Sequence, residues 1–143
     1  MSRIYRTSDI IKIEVDGLKI GVSPLTFDQK MIAQALVMNG DVTSAMKGAA
    51  YAVKCALKSI EGLTDADGQE YALSFNNNML SDECWDDIQN IEQATKLTLV
   101  SLNLLAGMPK EFTDPNNGKR LEGVSIIKTE GSKAKKTQRT PGP

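Results

Sequence analysis

Apolar and polar residues alternate from Ile10 to Val22 around Asp16-Gly17, the dipeptide that suits a two-residue type I′ turn because both central positions need positive φ. The hairpin this predicts sets Val15 opposite Leu18, Ile13 opposite Ile20 and Ile11 opposite Val22. Its apolar side chains therefore share one face, and Glu14 pairs with Lys19 on the other. Ser23-Pro24 ends the second strand, and Thr26 with Gln29 forms a capping box for a helix from Phe27 to about Asn39. There the apolar set Phe27, Met31, Ala35 and Met38, flanked by Ile32 and Leu36, follows the 3.6-residue period up to Gly40. A second, alanine-rich helix is expected from Ser44 to Glu61, with Gly62 closing it. Ser81 caps a third, with Asp82 and Glu83 placed well for the positive end of its dipole. Its stripe of Trp85, Ile88, Ile91, Thr95, Thr98 or Leu99, Leu102 and Leu105 carries it to Leu105 or Ala106, before Gly107 and Pro109.

Between the second and third helices lies a turn-rich loop with a short possible strand at Tyr71 to Phe75 and the run Asn76-Asn77-Asn78. After Met108 the periodicity is lost, and only Gly123 to Lys128 resembles a short strand. The expected fold is mainly α: an N-terminal β-hairpin packed on a three-helix domain, followed by a flexible C-terminal tail. Residues 1–107 form the hairpin and helical domain, 108–130 an irregular extension, and 131–143 a basic low-complexity tail. An isolated hairpin is at best marginally stable in water, so its apolar face must lie on helices or on another chain.

The chain has 143 residues, 41% hydrophobic and 24% charged, which fits one folded domain and neither a disordered nor a membrane protein. Its longest strongly apolar stretch, Leu97 to Gly107, is broken by Thr98, Ser101 and Asn103 and falls well short of the ~20 residues that span a bilayer. The first residues lack the apolar core of a secretory signal, so a cytoplasmic site of folding is expected. Cys55 and Cys84 fall inside expected helices with no second cysteine at metal-ligand spacing, and read as buried free thiols. A net charge of −1 hides an asymmetry: Lys128, Lys133, Lys135, Lys136 and Arg139 face only Glu130 at the end of the chain, so the body is acidic.

No histidine is present, which removes the commonest general base and every Ser-His or Cys-His nucleophile. Nothing resembles a glycine-rich phosphate loop. The Asp65-Ala66-Asp67-Gly68 fragment lacks the remaining ligands of a calcium loop, since Glu70 and Asn76 stand where that pattern wants Gly and Glu. Asp86 and Asp87, like Asp65 and Asp67, read as solvated carboxylates. The basic tail has no interleaved aromatics, so nucleic acid is not an expected partner. The reading is a binding protein that is not an enzyme and needs no cofactor.

Where it binds is suggested by the second half of the third helix. Leu97, Leu99, Val100, Leu102, Leu104 and Leu105 surround most of its circumference, more than a small domain can cover. The expected partner-contact residues are Leu97, Val100 and Leu104, with Ile13 and Ile20 of the hairpin second and a homo-oligomer as one outcome. Core packing is the alternative for all five.

The run Lys19 to Val22, then Ser23-Pro24-Leu25-Thr26-Phe27, a short helix, an alanine-rich helix, an Asp-Gly loop and a long helix before a low-complexity tail resembles the short form of the tail assembly chaperones of long-tailed bacteriophages. The likeness covers Ile10 to Gly107. It implies a helper protein in the host cell cytoplasm that coats the tape-measure protein and assists polymerisation of the tail-tube protein, by binding without turnover. The resemblance also implies a longer product made by ribosomal frameshift, and Lys133-Ala134-Lys135-Lys136 is the kind of run a slippery A-rich stretch encodes. Other readings are a structural virion component, such as a connector or minor tail protein, and a small regulatory protein with a nucleic-acid-binding tail.

Overall fold

The computed structural model describes residues 3–130. Strands β1 (Ile10–Val15) and β2 (Leu18–Val22) pair in the expected register, Ile13 opposite Ile20 and Val15 opposite Leu18. Asp16 and Gly17 take φ of 48° and 87°, as a type I′ turn requires. Beyond the hairpin the fold is not mainly α. Helices α1 (Phe27–Val37) and α2 (Val42–Ala56) lead into strand β3 (Leu57–Glu61). A two-residue pair, β4 (Phe75–Asn76) and β5 (Met79–Leu80), precedes α3 (Asp82–Ile88), α4 (Ala94–Asn103), a single 3₁₀ turn (Leu104–Ala106) and β6 (Val124–Glu130). The four long strands make one antiparallel sheet in the order β3-β2-β1-β6, so the described residues form an α/β protein with four helices.

Each departure from expectation has a local cause. The second helix was expected to reach Glu61 but stops at Ala56, where Leu57 turns extended (φ −73°, ψ 122°) and the Ser23 N–H donates to the Ala56 carbonyl at 2.9 Å. Leu57 and Ile60 fit either a helix or a bulged strand. The open edge of β2, whose N–H and C=O groups need partners, decides for the strand. Gly21 makes the pairing possible: a Cβ there would lie 2.4 Å from Ser59 Oγ.

The single long third helix is likewise two helices. Ile88 and Leu97 are nine residues apart, which at 100° per residue puts them on opposite sides of a continuous helix. Both are buried, and the break between α3 and α4 lets them reach one core. Bonds from Asn90 N–H to the Asp87 carbonyl and from Ile91 N–H to the Ile88 carbonyl, at 3.1 and 3.2 Å, tighten the turn that ends α3. The expected strand at Tyr71 to Phe75 shrinks to the β4–β5 pair, in which Asn77 and Asn78 take the positive φ of the turn (53° and 65°).

The segment 108–130 supplies Phe112, Leu121 and Val124 to the core and β6 to the sheet, where Ile126 lies opposite Ile13. Asn103 fastens it by donating to the Thr113 carbonyl at 2.8 Å and accepting from the Thr113 N–H at 3.0 Å. Lys96 fastens it again, bridging Asp16 at 2.9 Å and the Glu122 carbonyl at 2.7 Å. The expected basic tail, 131–143, lies outside the described residues.

The helices cover the apolar face of the sheet, and the other face carries Lys12, Lys19, Glu61 and Lys128 around a shallow hollow. Asp41 caps α2, accepting from the Ser44 N–H at 2.7 Å, and this bond, helped by the Ser44 hydroxyl and the Asn39 amide, holds its carboxyl below the ordinary value. A depressed folded-state pKa stabilises above the ordinary carboxylate value and is lost as pH falls through the lowered one. Asp41→Ala should therefore lower the melting temperature at pH 7 and leave it nearly unchanged at the acid end of the folded range, while Asp41→Asn keeps most of the stability at both. Equal losses for Ala and Asn at neutral pH would refute the cap's role.

Candidate docking surface

Leu97, Val100, Leu104, Ile13 and Ile20 are each at most 2% exposed, and all five belong to the core. As expected contact residues they are corrected by their surroundings. They share one core with α2, and Phe112, Leu121 and Val124 from the segment after Met108 belong to the same cluster. Of the leucine-rich end of the third expected helix, Leu97, Val100 and Leu104 are thus turned inward, while Leu99, Leu102 and Leu105 are partly buried.

Most of the large apolar side chains that remain open lie on the first two helices and the corner between them, with Ile4, Phe75 and Ile127 exposed elsewhere. Phe27 (74%), Met31 (54%), Met38 (80%), Val42 (75%) and Met46 (66%) are large, apolar and exposed. Phe27, Met31 and Met38 form the stripe that the sequence shows on α1, but the helix turns it outward. Gly48 is the reason: a Cβ there would stand 2.8 Å from Val37 Cγ2 and 2.9 Å from the Ala33 carbonyl oxygen, so the backbones of α1 and α2 approach closely on the Ala33–Val37 side. Ala33 is accordingly the one fully buried residue of α1. Met38, Val42 and Met46 follow one another around the α1–α2 corner and down the first turn of α2.

Met46 also opens a groove. Thr43, Met46, Lys47, Ala49 and Ala50 of α2 form one wall, Ala94, Thr95 and Thr98 of α4 the other, and Trp85 of α3 with its C-cap Gln89 one end, enclosing about 640 Å³. The small side chains Ala49, Ala50 and Ala94 make it shallow and allow a partner backbone to come close. Asp82 and Asp86 lie on the same face of α3 as Trp85 and Gln89, because residues three and four apart are neighbours on a helix. Lys54 of α2 forms an ion pair with Asp82 across the rim.

Behind α3 sits a polar cluster. Tyr71 donates to Asp87 at 2.6 Å, and burial, with this bond and the neighbouring Cys84, pushes its phenol well above the ordinary value. Burial alone would raise the Cys84 thiol, but the Ser74, Ser81 and Tyr71 hydroxyls and the Ser74 N–H together hold it below its ordinary value. Cys55 is pushed up by burial. Both cysteines are free and buried. Cys84 is 4% exposed and its hydrogen bonds go to Ser74 just before β4, to the Ser81 helix cap and to Tyr71, so the cluster anchors α3 and offers no open substrate space.

Asp65 Oδ1 accepts from the N–H groups of Asp67 and Gln69, at 2.9 and 3.0 Å, which commits that carboxylate to shaping its own loop. Among the described residues no cluster of three or more His, Cys, Asp or Glu could hold a metal ion, and no helix is long and apolar enough to cross a membrane.

The α1 stripe was visible in the sequence as a 3.6-residue pattern. The groove was not, since it needs α3 and α4 to be separate. Compared with known proteins, the chain matches no family model, no curated protein and no solved structure.

Proposed function

We propose that this chain is a non-enzymatic binding protein that holds an apolar or amphipathic segment of a partner, acting as a tail assembly chaperone in the host cell cytoplasm, with the tape-measure protein and the tail-tube protein as its partners. The observation that supports a binding role is the uncovered apolar surface of Phe27, Met31, Met38, Val42 and Met46 on two consecutive helices. Single exposed apolar residues are ordinary, but five large ones on adjoining turns mark an interaction surface. Three are methionines, whose flexible, polarisable side chains adapt to differing partner surfaces. That suits a helper which must cover long stretches of another protein.

The test is co-expression with the candidate tape-measure and tail-tube proteins, followed by pull-down. A Met38→Ser, Val42→Ser, Met46→Ser triple variant should keep its circular dichroism spectrum and melt within a few degrees of the parent, because the three side chains are already in water. It should lose at least tenfold in recovered partner. Undiminished recovery by the folded variant would refute this surface, and failure of the parent to retain either protein would refute the chaperone role.

A further inference from the structure

We propose that Asn39-Gly40 is a site of spontaneous deamidation, and that conversion there in the folded chain spoils the α1–α2 corner, a consequence that rests on the binding role above. Asparagine followed by glycine is open to this chemistry because glycine has no Cβ to hinder its nitrogen. The Gly40 nitrogen attacks the side-chain carbonyl carbon of Asn39. The bond to the amide nitrogen breaks, and ammonia leaves with the proton shed by the Gly40 nitrogen. Water then opens the resulting succinimide at one of its two carbonyls, giving aspartate or isoaspartate.

The fold decides among four candidates, since the chain's Asn-Gly and Asp-Gly dipeptides are Asp16-Gly17, Asn39-Gly40, Asp67-Gly68 and Asn117-Gly118. At Asn117-Gly118 both reacting groups are held: the Gly118 N–H donates to the Asp114 carbonyl at 2.7 Å, and Asn117 Oδ1 accepts from the Lys119 N–H at 2.8 Å. The Gly68 N–H likewise donates to the Asp65 carbonyl at 3.0 Å. Both carboxylate oxygens of Asp16 face Lys96, at 2.9 and 3.1 Å, and an ionised carboxylate is a poorer electrophile than an amide. Gly40 differs. Its φ is 96°, its N–H has no hydrogen-bond partner among the described residues, and apart from its chain neighbours nothing lies within 4 Å of where a Cβ would stand. Asn39 is held through the nitrogen that leaves, which donates to Asp41 Oδ2 and Ser44 Oγ at 3.0 Å each.

The product suits the corner badly. Asn39 directly follows Met38, the C-cap of α1, and two residues on Asp41 caps α2. Deamidation replaces a donor to the Asp41 carboxylate with a second carboxylate, placed at the negative end of the α1 dipole. Isoaspartate in addition routes the backbone through the Cβ of residue 39, which lengthens the path between Met38 and Val42 by one carbon and shifts these two exposed side chains relative to each other.

The experiment is timed incubation of the full chain in warm, mildly alkaline buffer with peptide mapping by mass spectrometry, run folded and again in concentrated guanidinium chloride. Unfolded, the two Asn-Gly dipeptides should convert at similar rates. Folded, Asn39 should convert at least tenfold faster than Asn117, whose nucleophile is hydrogen-bonded. Equal folded rates, or faster conversion at Asn117, would overturn the proposal.

The deamidated fraction, separated by ion exchange, should recover at least threefold less partner in pull-down than fresh protein. Asn39→Gln incubated alongside should keep the recovery it had at the start, which separates deamidation from oxidation of the exposed methionines. Undiminished recovery by the deamidated fraction would overturn the effect on the corner. Failure of fresh protein to retain any partner would overturn the binding role, and with it that effect, while the mass spectra would still decide the conversion at Asn39.

Discussion

Truncating Leu97 to Ala is expected to destabilise the protein by about 2–5 kcal/mol, the usual cost of emptying a well-packed leucine site. Leu97 is 2% exposed on the inner face of α4, among the large side chains of a core it shares with Ile13, Ile20, Val100 and Leu104. Truncation loses the transfer free energy of the side chain and leaves a cavity that the sheet on one side and α2 on the other can close only in part. Against a total stability of about 5–15 kcal/mol, that shifts the urea midpoint by a large fraction of its value. Met46→Ala, at an exposed site, should move it by no more than about 0.5 kcal/mol. The pair separates two roles for the leucines of this segment. If Leu97→Ala left the midpoint in place and abolished association instead, Leu97 would be facing a partner and the arrangement of α4 against the sheet would be wrong.

Gly48→Ala should also destabilise, by about 1–3 kcal/mol, although helix propensity alone predicts a gain of about 1 kcal/mol in the opposite direction. The sign follows from what the new methyl meets. At 2.8–2.9 Å it would press on Val37 Cγ2, the Ala33 carbonyl oxygen and the Val37 nitrogen, and two of these three are backbone atoms that cannot rotate away. Relief requires α1 to move off α2. Because this contact holds the Phe27, Met31 and Met38 stripe outward, Gly48→Ala should also change the environment of α1, read as altered methionine methyl resonances in the NMR spectrum. A variant as stable as the parent or more stable would show that the two helices pack more loosely than the geometry described.

The legible parts of this chain were those decided within a few residues. Asp16-Gly17 and the alternation around it specify the hairpin and its register, because only certain residues tolerate the turn and a one-residue slip would expose every apolar side chain. Thr26 with Gln29 and Ser81 with its acidic first turn mark helix starts, and both caps form, with Gln29 N–H donating to Thr26 at 3.1 Å and Cys84 N–H to Ser81 at 3.2 Å. The α1 stripe is equally plain in the sequence, and so is the lack of any histidine.

Tertiary structure decided the rest. Leu57 to Glu61 is helix by its spacing and strand by its neighbour, since the unpaired edge of β2 offers hydrogen bonds that a helix end cannot match. The stretch from Ser81 to Ala106 reads as one helix because its stripe can be drawn unbroken, yet Ile88 and Leu97 reach the same core only if it breaks. Val124 to Glu130 becomes an edge strand through pairing with β1, more than a hundred residues away in sequence. That pairing brings Val124 and Ile126 to the core that also holds Leu97, Val100, Leu104, Ile13 and Ile20. An apolar pattern tells which side of an element avoids water. Whether the cover comes from the chain itself or from another molecule depends on long-range partners, and here they close over the leucines of α4 and leave the methionines of α1 and α2 open.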